Sequence, residues 1–135
     1  MMNRVKYFLG NNDYCPKPFL PFSENVCDFL DSFSKELNSK NVFKDYPELK
    51  SLSFWCRKKN ILNLKKNFFL KQNRLGLGLL LHITPSNVPI NFAYSLFFGL
   101  LTGNSNIVKV PSKNFIQVSI ICEIIKKILK KYYKL

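Results

Sequence analysis

Residues 75–110, LGLGLLLHITPSNVPINFAYSLFFGLLTGNSNIVKV, decide the fold class of this chain. Leu75–Ile83 is apolar with little polar alternation, which is typical of a strand buried on both faces of a parallel sheet. Val88–Thr102 has the length of a helix and is apolar on nearly every side, so we expect protein all round it. Ile107–Val110 is short and rich in β-branched residues, which predicts a second strand. The stretch therefore predicts strand, helix, strand.

Local signals set the predicted ends of that helix. Asn87 is a suitable N-cap, and Pro89 lies just inside the first turn, where a missing N–H does no harm. Gly103-Asn104 is a left-handed stop, and Pro111-Ser112 ends the second strand. Thr84 to Asn87 is predicted to form the loop after the first strand.

A last helix is predicted over Asn114–Tyr133. Its apolar residues share one face, with lysines mostly opposite; they are Phe115, Val118, Ile121, Cys122, Ile125, Leu129 and Tyr132. The order strand, helix, strand, helix is a βαβα unit, in which a right-handed crossover makes the two strands parallel neighbours. The fold class is α/β.

Residues 1–73 are predicted as a mainly helical segment that precedes the α/β part, residues 74–135. One helix begins after Ser23 or Asn25 and repeats apolar residues at three- and four-residue spacing: Val26, Phe29, Leu30, Phe33 and Leu37. A second begins near Pro47 and is extended to Asn60. Ile61–Leu70 then repeats apolar residues among lysines.

Two parallel strands do not bury a sheet by themselves. Their faces and edges stay open unless more polypeptide covers them. We therefore expect the chain to be the N-terminal part of a larger, incomplete α/β domain, which the missing C-terminal part or a homo-oligomer completes.

Positive charge is concentrated in the second part of the chain. Residues 1–48 hold six Lys/Arg against seven acids, whereas residues 49–135 hold fifteen against Glu123 alone, within a net charge of +13. Such a surface attracts nucleic acid, an acidic membrane or the phosphates of a cofactor. Aromatic and basic residues alternate over Phe54–Lys59, but no nucleic-acid motif is present, and Phe54 and Trp55 are more simply core. We predict no nucleic-acid partner.

The expected cellular location and the expected state of the cysteines follow from features that the sequence lacks. The start shows no secretory signal, and Thr84 to Asn87 interrupts the longest apolar stretch, so we expect a cytoplasmic protein without a membrane span. Cys15, Cys27, Cys56 and Cys122 are widely spaced and His82 is the one histidine, so no metal site is predicted. We expect reduced, buried thiols.

One cysteine has two interpretations. The basic run that follows Cys56 would lower the pKa of an accessible thiol and make it reactive. A thiol packed against a helix is the simpler interpretation.

The turn after the first strand is the candidate site. In open α/β sheets, ligands bind beyond the carboxyl ends of the strands. Thr84, Pro85, Ser86 and Asn87 follow the first strand, and the second strand brings Lys109 to the same edge, with Ser112 just beyond. The residues predict an anion or nucleotide site. Two plainer interpretations stay open, namely that Asn87 only caps a helix and that Lys109 is a solvated strand end.

The stretch Gly76–Phe115 closely resembles the acyl-CoA reductase family, whose best-known members are the fatty acid reductases of bacterial bioluminescence. More distantly it is similar to the aldehyde dehydrogenases, in which a Pro-x-Asn-x-Pro turn precedes a helix ending in Gly-Asn and a strand that carries a lysine. Here these features are Pro85-Ser86-Asn87-Val88-Pro89, Gly103-Asn104 and Lys109. Residues 54–61, FWCRKKNI, resemble a family pattern upstream of the cofactor domain.

The resemblance implies a fold, a reaction and site residues. The fold would be the first βαβα unit of an aldehyde dehydrogenase-like Rossmann-type domain that binds NADPH or NADH, and the enzyme would reduce a fatty acyl-CoA to an aldehyde through a cysteine thioester. Asn87 would donate its amide to the oxyanion of the intermediate. The cofactor would contact Ile83, Thr84, Pro85, Ser86, Lys109 and Ser112. Val110 stands where the aldehyde dehydrogenases have proline, so the alignment at Ser112 can shift by one residue.

The nucleophilic cysteine of the family lies downstream of this unit, and none of the four cysteines matches it. We therefore expect the chain to be inactive alone. The alternatives left open are an inactive remnant of a split gene and a basic module that binds anions or nucleic acid.

Overall fold

The computed structural model describes residues 5–10, 17–68 and 73–132. They form five helices and two strands: α1 (Glu24–Ser39), α2 (Pro47–Trp55), α3 (Lys58–Phe68), β1 (Leu79–Ile83), α4 (Asn91–Leu101), β2 (Ser105–Lys109) and α5 (Ile116–Leu129). The chain is thus α-rich with a small sheet, which agrees with the α/β class. Cys15, Leu70 and Tyr133, which entered the predictions above, lie outside these residues.

Helix α1 is the centre of the core. All five of its predicted apolar positions are buried, and the helix contacts α2, α3, α4 and α5. Ser23 occupies the N-cap position without a side-chain hydrogen bond to the helix end. The apolar period at three and four residues was therefore sufficient to predict the helix and its buried face.

The second predicted helix is two helices. α2 ends at Trp55, and α3 begins at Lys58 after a turn through Cys56 and Arg57. The backbone N–H of Lys58 donates to Oδ1 of Asp31, 2.9 Å away on α1. The carboxylate of another helix therefore caps α3, and no local signal in the sequence predicts such a contact.

The strands pair as predicted but differ in length. β1 and β2 are parallel, and the register pairs Leu79 with Ser105 and Ile83 with Lys109. β1 begins four residues later than predicted because Asn104 Oδ1 accepts the N–H groups of Leu77 and Gly78, at 2.6 and 3.2 Å. β2 begins two residues earlier than predicted.

Helix α4 covers one face of this sheet, and the other face is open. Four apolar side chains point to the open side and are exposed: Leu79, Leu81, Ile83 and Ile107. Leu81 and Ile83 expose 67% and 75% of their surface, so the prediction of burial on both faces is wrong for the described chain. Phe98 of α4 is also half exposed, at 50%, so protein does not surround α4 on all sides. The described residues supply one layer of helices, and burial of both faces needs two.

Backbone contacts tie the N-terminal segment to both ends of the strand–helix unit. Phe19 donates its N–H to the carbonyl of Gly103, 2.8 Å away, and its own carbonyl accepts the N–H of Gly76 at 3.1 Å. Gly103 has a positive φ of 82°, and a Cβ there would lie 2.1 Å from the Phe19 carbonyl oxygen. Gly103 therefore ends α4, as predicted, and leaves room for this crossing.

Helix α5 is shorter than the predicted 114–133 but buries the predicted face. Val118, Ile121, Cys122 and Ile125 are buried among residues of the same core as α1. The core thus takes side chains from both sides of the predicted boundary at residues 73 and 74, and that division stays a prediction. Within the described part of the chain, no helix is long and apolar enough to cross a membrane.

Candidate functional site

The carboxyl ends of β1 and β2 bring three predicted site residues, Ile83, Thr84 and Lys109, to one edge. Ile83 and Lys109 are register partners, so each strand ends beside the other. The hydroxyl of Thr84 donates to the backbone carbonyl of Lys109 at 3.0 Å and fastens the two strand ends together. The parallel pairing predicted from sequence is the physical reason for this convergence, since the ends of parallel strands meet at the same edge.

Ser86 and Asn87 lie in an exposed turn beyond that edge. The expected N-cap role of Asn87 is wrong, because α4 begins at Asn91 with Ile90 as its N-cap residue. Val88 precedes Pro89, and a residue before proline is disfavoured in the helical conformation, so the helix starts after the proline. Among the described residues, none makes a hydrogen bond with the Asn87 amide, which leaves that donor exposed at the site.

A cavity of about 380 Å³ lies between β1 and α4, and we call it the α4-side cavity. Three predicted residues line it: Ile83, Thr84 and Pro85. The remaining lining residues are His82 and, from α4, Asn91, Tyr94, Ser95 and Phe98. The sequence analysis missed the α4 residues, although their spacing of three, four and seven places them on one helical face.

A second cavity, the β2-side cavity, lies beyond the end of β2 and has a volume of about 420 Å³. Ser112 lines it together with Lys6 and Lys113, and Ile116 at the start of α5 also borders it. Ser112 therefore lines a different cavity from Ile83, Thr84 and Pro85. Two lysines and a helix N-terminus give this cavity a positive potential that suits phosphate.

A histidine–asparagine pair lies under α4. His82 Nε2 is 2.8 Å from Asn106 Oδ1, and Asn106 Nδ2 donates to the carbonyl of Asn104 at 2.7 Å. Because Oδ1 of Asn106 is an acceptor, Nε2 of His82 is the donor. The sequence analysis missed this pair. Its signal was that both residues occupy positions of the parallel strands that face the same side.

The three described cysteines are buried thiols. Cys27, Cys56 and Cys122 form no disulfide, which agrees with the expected reduced state. Burial raises the pKa of Cys56 above its usual value and that of Cys122 to about 11. The alternative of a reactive, low-pKa Cys56 is therefore wrong, because desolvation outweighs the basic run that follows it.

The aromatic residues beside the basic run differ from the expectation. Trp55 is partly buried, but Phe54 exposes 55% of its surface, so its assignment to the core is wrong. The guanidinium carbon of Arg57 lies 4.9 Å from the centre of the Phe54 ring, a cation–π distance.

Comparison with known proteins identifies a family. The family model described as acyl-CoA reductase (LuxC) matches residues 23–130, which is most of the chain. No curated protein and no solved structure matches the chain.

Proposed function

The chain belongs to the acyl-CoA reductase (LuxC) family, and we propose that it supplies the cofactor-binding edge of a reductase that converts a fatty acyl-CoA to an aldehyde with NADPH or NADH. The observation that carries the proposal is the junction of Thr84 and Lys109 where the two parallel strands end. Ligands of open α/β sheets bind at such edges.

The residues of this edge and of the neighbouring β2-side cavity suit the chemistry of a dinucleotide. Lys6 and Lys113 of the β2-side cavity suit the phosphates, and the Ser112 hydroxyl is a hydrogen-bond partner for a ribose or a 2′-phosphate. Lys109 is exposed at the strand end, where its ammonium group would be available to a ribose hydroxyl. When bound, the cofactor supplies the hydride that reduces the acyl carbon.

Asn87 is the proposed donor to the oxyanion. Its amide is exposed and unpaired with the described residues, so it is available to a substrate oxygen. Loss of one such donor costs about 3 kcal/mol of transition-state stabilisation in other enzymes. The described cysteines are all buried, so we propose that the attacking thiolate comes from further reductase polypeptide.

The same polypeptide is the proposed cover of the open sheet face, which consists of Leu79, Leu81, Ile83 and Ile107. A second copy of the chain is the alternative cover. An exposed apolar strand face of this kind marks an interaction surface.

Cofactor binding is tested by titrating the chain with NADPH and, separately, NADH, with the fluorescence of the reduced nicotinamide as the signal. Lys109→Ala is expected to raise Kd about tenfold, since it removes a charged hydrogen-bond donor. Lys126→Ala removes the same charge from an exposed position of α5 and should change Kd less than about twofold. Asn87→Ala should leave Kd unchanged because its role lies with the substrate.

Three results would overturn the assignment. The first is no binding of either nucleotide, and the second is an equal loss of affinity in Lys109→Ala and Lys126→Ala. The third is binding of a random oligonucleotide as tight as that of NADPH and steeply weakened by salt, which would favour the basic-module alternative.

A further inference from the structure

A third open cavity lies between α2 and α3, with a volume of about 220 Å³, and we call it the α2–α3 trough. Phe54 and Trp55, at the end of α2, form one wall. The other wall is one face of α3, made by Asn60, Asn63, Leu64 and Asn67. The trough is thus bordered by two aromatic rings, a leucine and the side chains of three neutral amides.

Trp55 joins this trough to the α4-side cavity. Its ring lies 4.9 Å from that of Phe98 and 5.5 Å from that of Tyr94, measured between ring centres. Phe98 and Tyr94 both line the α4-side cavity, and Pro85 lines the end of that cavity at the strand edge. A band of aromatic surface therefore runs from the candidate site, across Phe98 and Trp55, into the trough.

The lining of the band has few ionisable groups for a strongly basic protein: His82 lines the α4-side cavity, and the Arg57 guanidinium lies over the Phe54 ring. The described residues that line the trough and the α4-side cavity include no lysine, arginine, aspartate or glutamate. The β2-side cavity, by contrast, has Lys6 and Lys113. The two sides of the strand edge thus suit different parts of the reactants, phosphates on the β2 side and a neutral apolar group on the α4 side.

Two aromatic side chains of the band are unusually exposed. Phe54 and Phe98 present about half of their surfaces to water, and a large apolar ligand is stabilised by removing such surface from water. The lining of the α4-side cavity combines apolar side chains with a few polar groups, as the lining of a ligand site does.

We propose that the fatty acyl chain of the substrate binds along this band, which we call the acyl groove. The thioester lies at the strand edge near Pro85, the chain crosses Phe98 and Trp55, and the methyl end reaches Leu64 in the trough. This assignment rests on the proposed acyl-CoA reductase function, and it adds the residues that select the length of the chain.

Trp55 is the only tryptophan of the protein, so all of the tryptophan fluorescence comes from a residue of the groove. The experiment titrates the 135-residue chain with tetradecanoyl-CoA brominated in the acyl chain, because bromine quenches a nearby indole. We expect this probe to quench Trp55 saturably. A brominated hexanoyl-CoA should bind with weaker affinity, and CoA without an acyl group should not quench Trp55. Affinity should rise with chain length because each buried methylene contributes about 0.8 kcal/mol.

Two groove variants and two controls locate the binding. Phe98→Ser and Phe54→Ser should each raise the Kd of the tetradecanoyl probe about tenfold, since each removes a ring that the chain covers. Leu81→Ser on the open sheet face and Leu77→Ser in the segment before β1 remove exposed leucines elsewhere and should leave Kd unchanged. Phe54 is more than half exposed, so its loss leaves the fold intact; far-UV circular dichroism checks each variant.

The acyl groove is wrong if the bromine probe does not quench Trp55, if Phe54→Ser and Phe98→Ser bind as the parent does, or if Leu81→Ser weakens binding equally. These results are independent of the nucleotide titration. Phe98-dependent quenching without NADPH or NADH binding would retain the groove and reject the reductase. Nucleotide binding without quenching of Trp55 would retain the proposed reductase function and reject the acyl groove.

Discussion

At the scale of single residues, burial changes the acid–base chemistry of three cysteines. Burial raises the pKa of Cys27, of Cys56 and of Cys122, the last to about 11. A thiol in the unfolded chain titrates near 8.5. The folded state therefore binds these protons more tightly than the unfolded state does, and the stability that results is complete below about pH 8.5 and is lost as the pH rises.

Cys56→Ala is expected to show this dependence. The variant is less stable than the parent at pH 7.5, and the deficit shrinks by about 1 kcal/mol at pH 9.5, because only the parent has the Cys56 thiol that ionises in the unfolded state. Urea unfolding under reducing conditions at both pH values measures the deficit. Ser51→Ala, an exposed change on α2 without a titrating group, should differ from the parent by the same amount at both. A constant deficit for Cys56→Ala would contradict the prediction.

Sequence reasoning at this scale succeeded where burial follows a helical period. It assigned the five apolar positions of α1 and the packed state of Cys122. It failed for Asn87, whose expected cap depended on a helix start that Pro89 moves toward the C-terminus. It also failed for Phe54, because the apolar character of a residue does not show which side of a helix is covered.

Between elements, α4 approaches the sheet closely at Gly99. A Cβ at this position would lie 1.8 Å from Oδ1 of Asn106 and 3.0 Å from Nε2 of His82. The glycine is therefore the reason that the histidine–asparagine pair fits under the helix.

Gly99→Ala is expected to destabilise the protein by about 2 kcal/mol, although alanine is the better helix former, because the new methyl group displaces Asn106 from His82. Chemical denaturation measures the change. In an Asn106→Ala background the obstacle is absent, so the same Gly99→Ala change should cost less or become stabilising. Equal costs in the two backgrounds would show that the Asn106 contact is not the cause.

The parallel pairing of the two strands could be predicted from the sequence, but the ends of the helices and strands could not. The order strand, helix, strand was enough to expect a parallel pair, since a helical crossover joins parallel strands. The start of β1 depends on Asn104, whose side chain takes two backbone N–H groups that a longer strand would use. The break between α2 and α3 depends on Asp31 of another helix. Both ends are set by residues distant in sequence.

The molecule as a whole has a well-covered side and an open side. Its helices bury the core around α1, while the open sheet face leaves four apolar side chains in water. The net charge of +13 opposes self-association at low ionic strength, and salt screens that repulsion.

We expect the isolated chain to self-associate through this face in moderate salt. Leu81→Lys should lower the associated fraction, because it places a charge among the exposed apolar residues of β1. Leu77→Lys adds the same charge at an exposed position outside the strand and should have a smaller effect. Sedimentation velocity at several protein concentrations makes the comparison. A parent chain that stays monomeric throughout would contradict the expectation.

At this scale the sequence predicts further polypeptide over the sheet, which stays a prediction, and it does not indicate the proposed acyl groove. The apolar strand predicted two covered faces, and the described chain covers one. The groove joins Trp55 of α2 to Phe98 of α4, 43 positions later, and only the packed helices bring these rings together. A site made by such distant residues has no local sequence signal.

The crossing of Phe19 between Gly76 and Gly103 has a consequence for synthesis of the chain. The ribosome adds about 5–20 residues per second, so Gly103 is made roughly 4–17 s after Phe19, which precedes it by 84 positions. During that interval the backbone of Phe19 lacks this partner, and α1 emerges before the helices α4 and α5 that cover it. The nascent chain thus exposes the apolar face of α1 for seconds, and a chaperone that binds such faces could act in that interval.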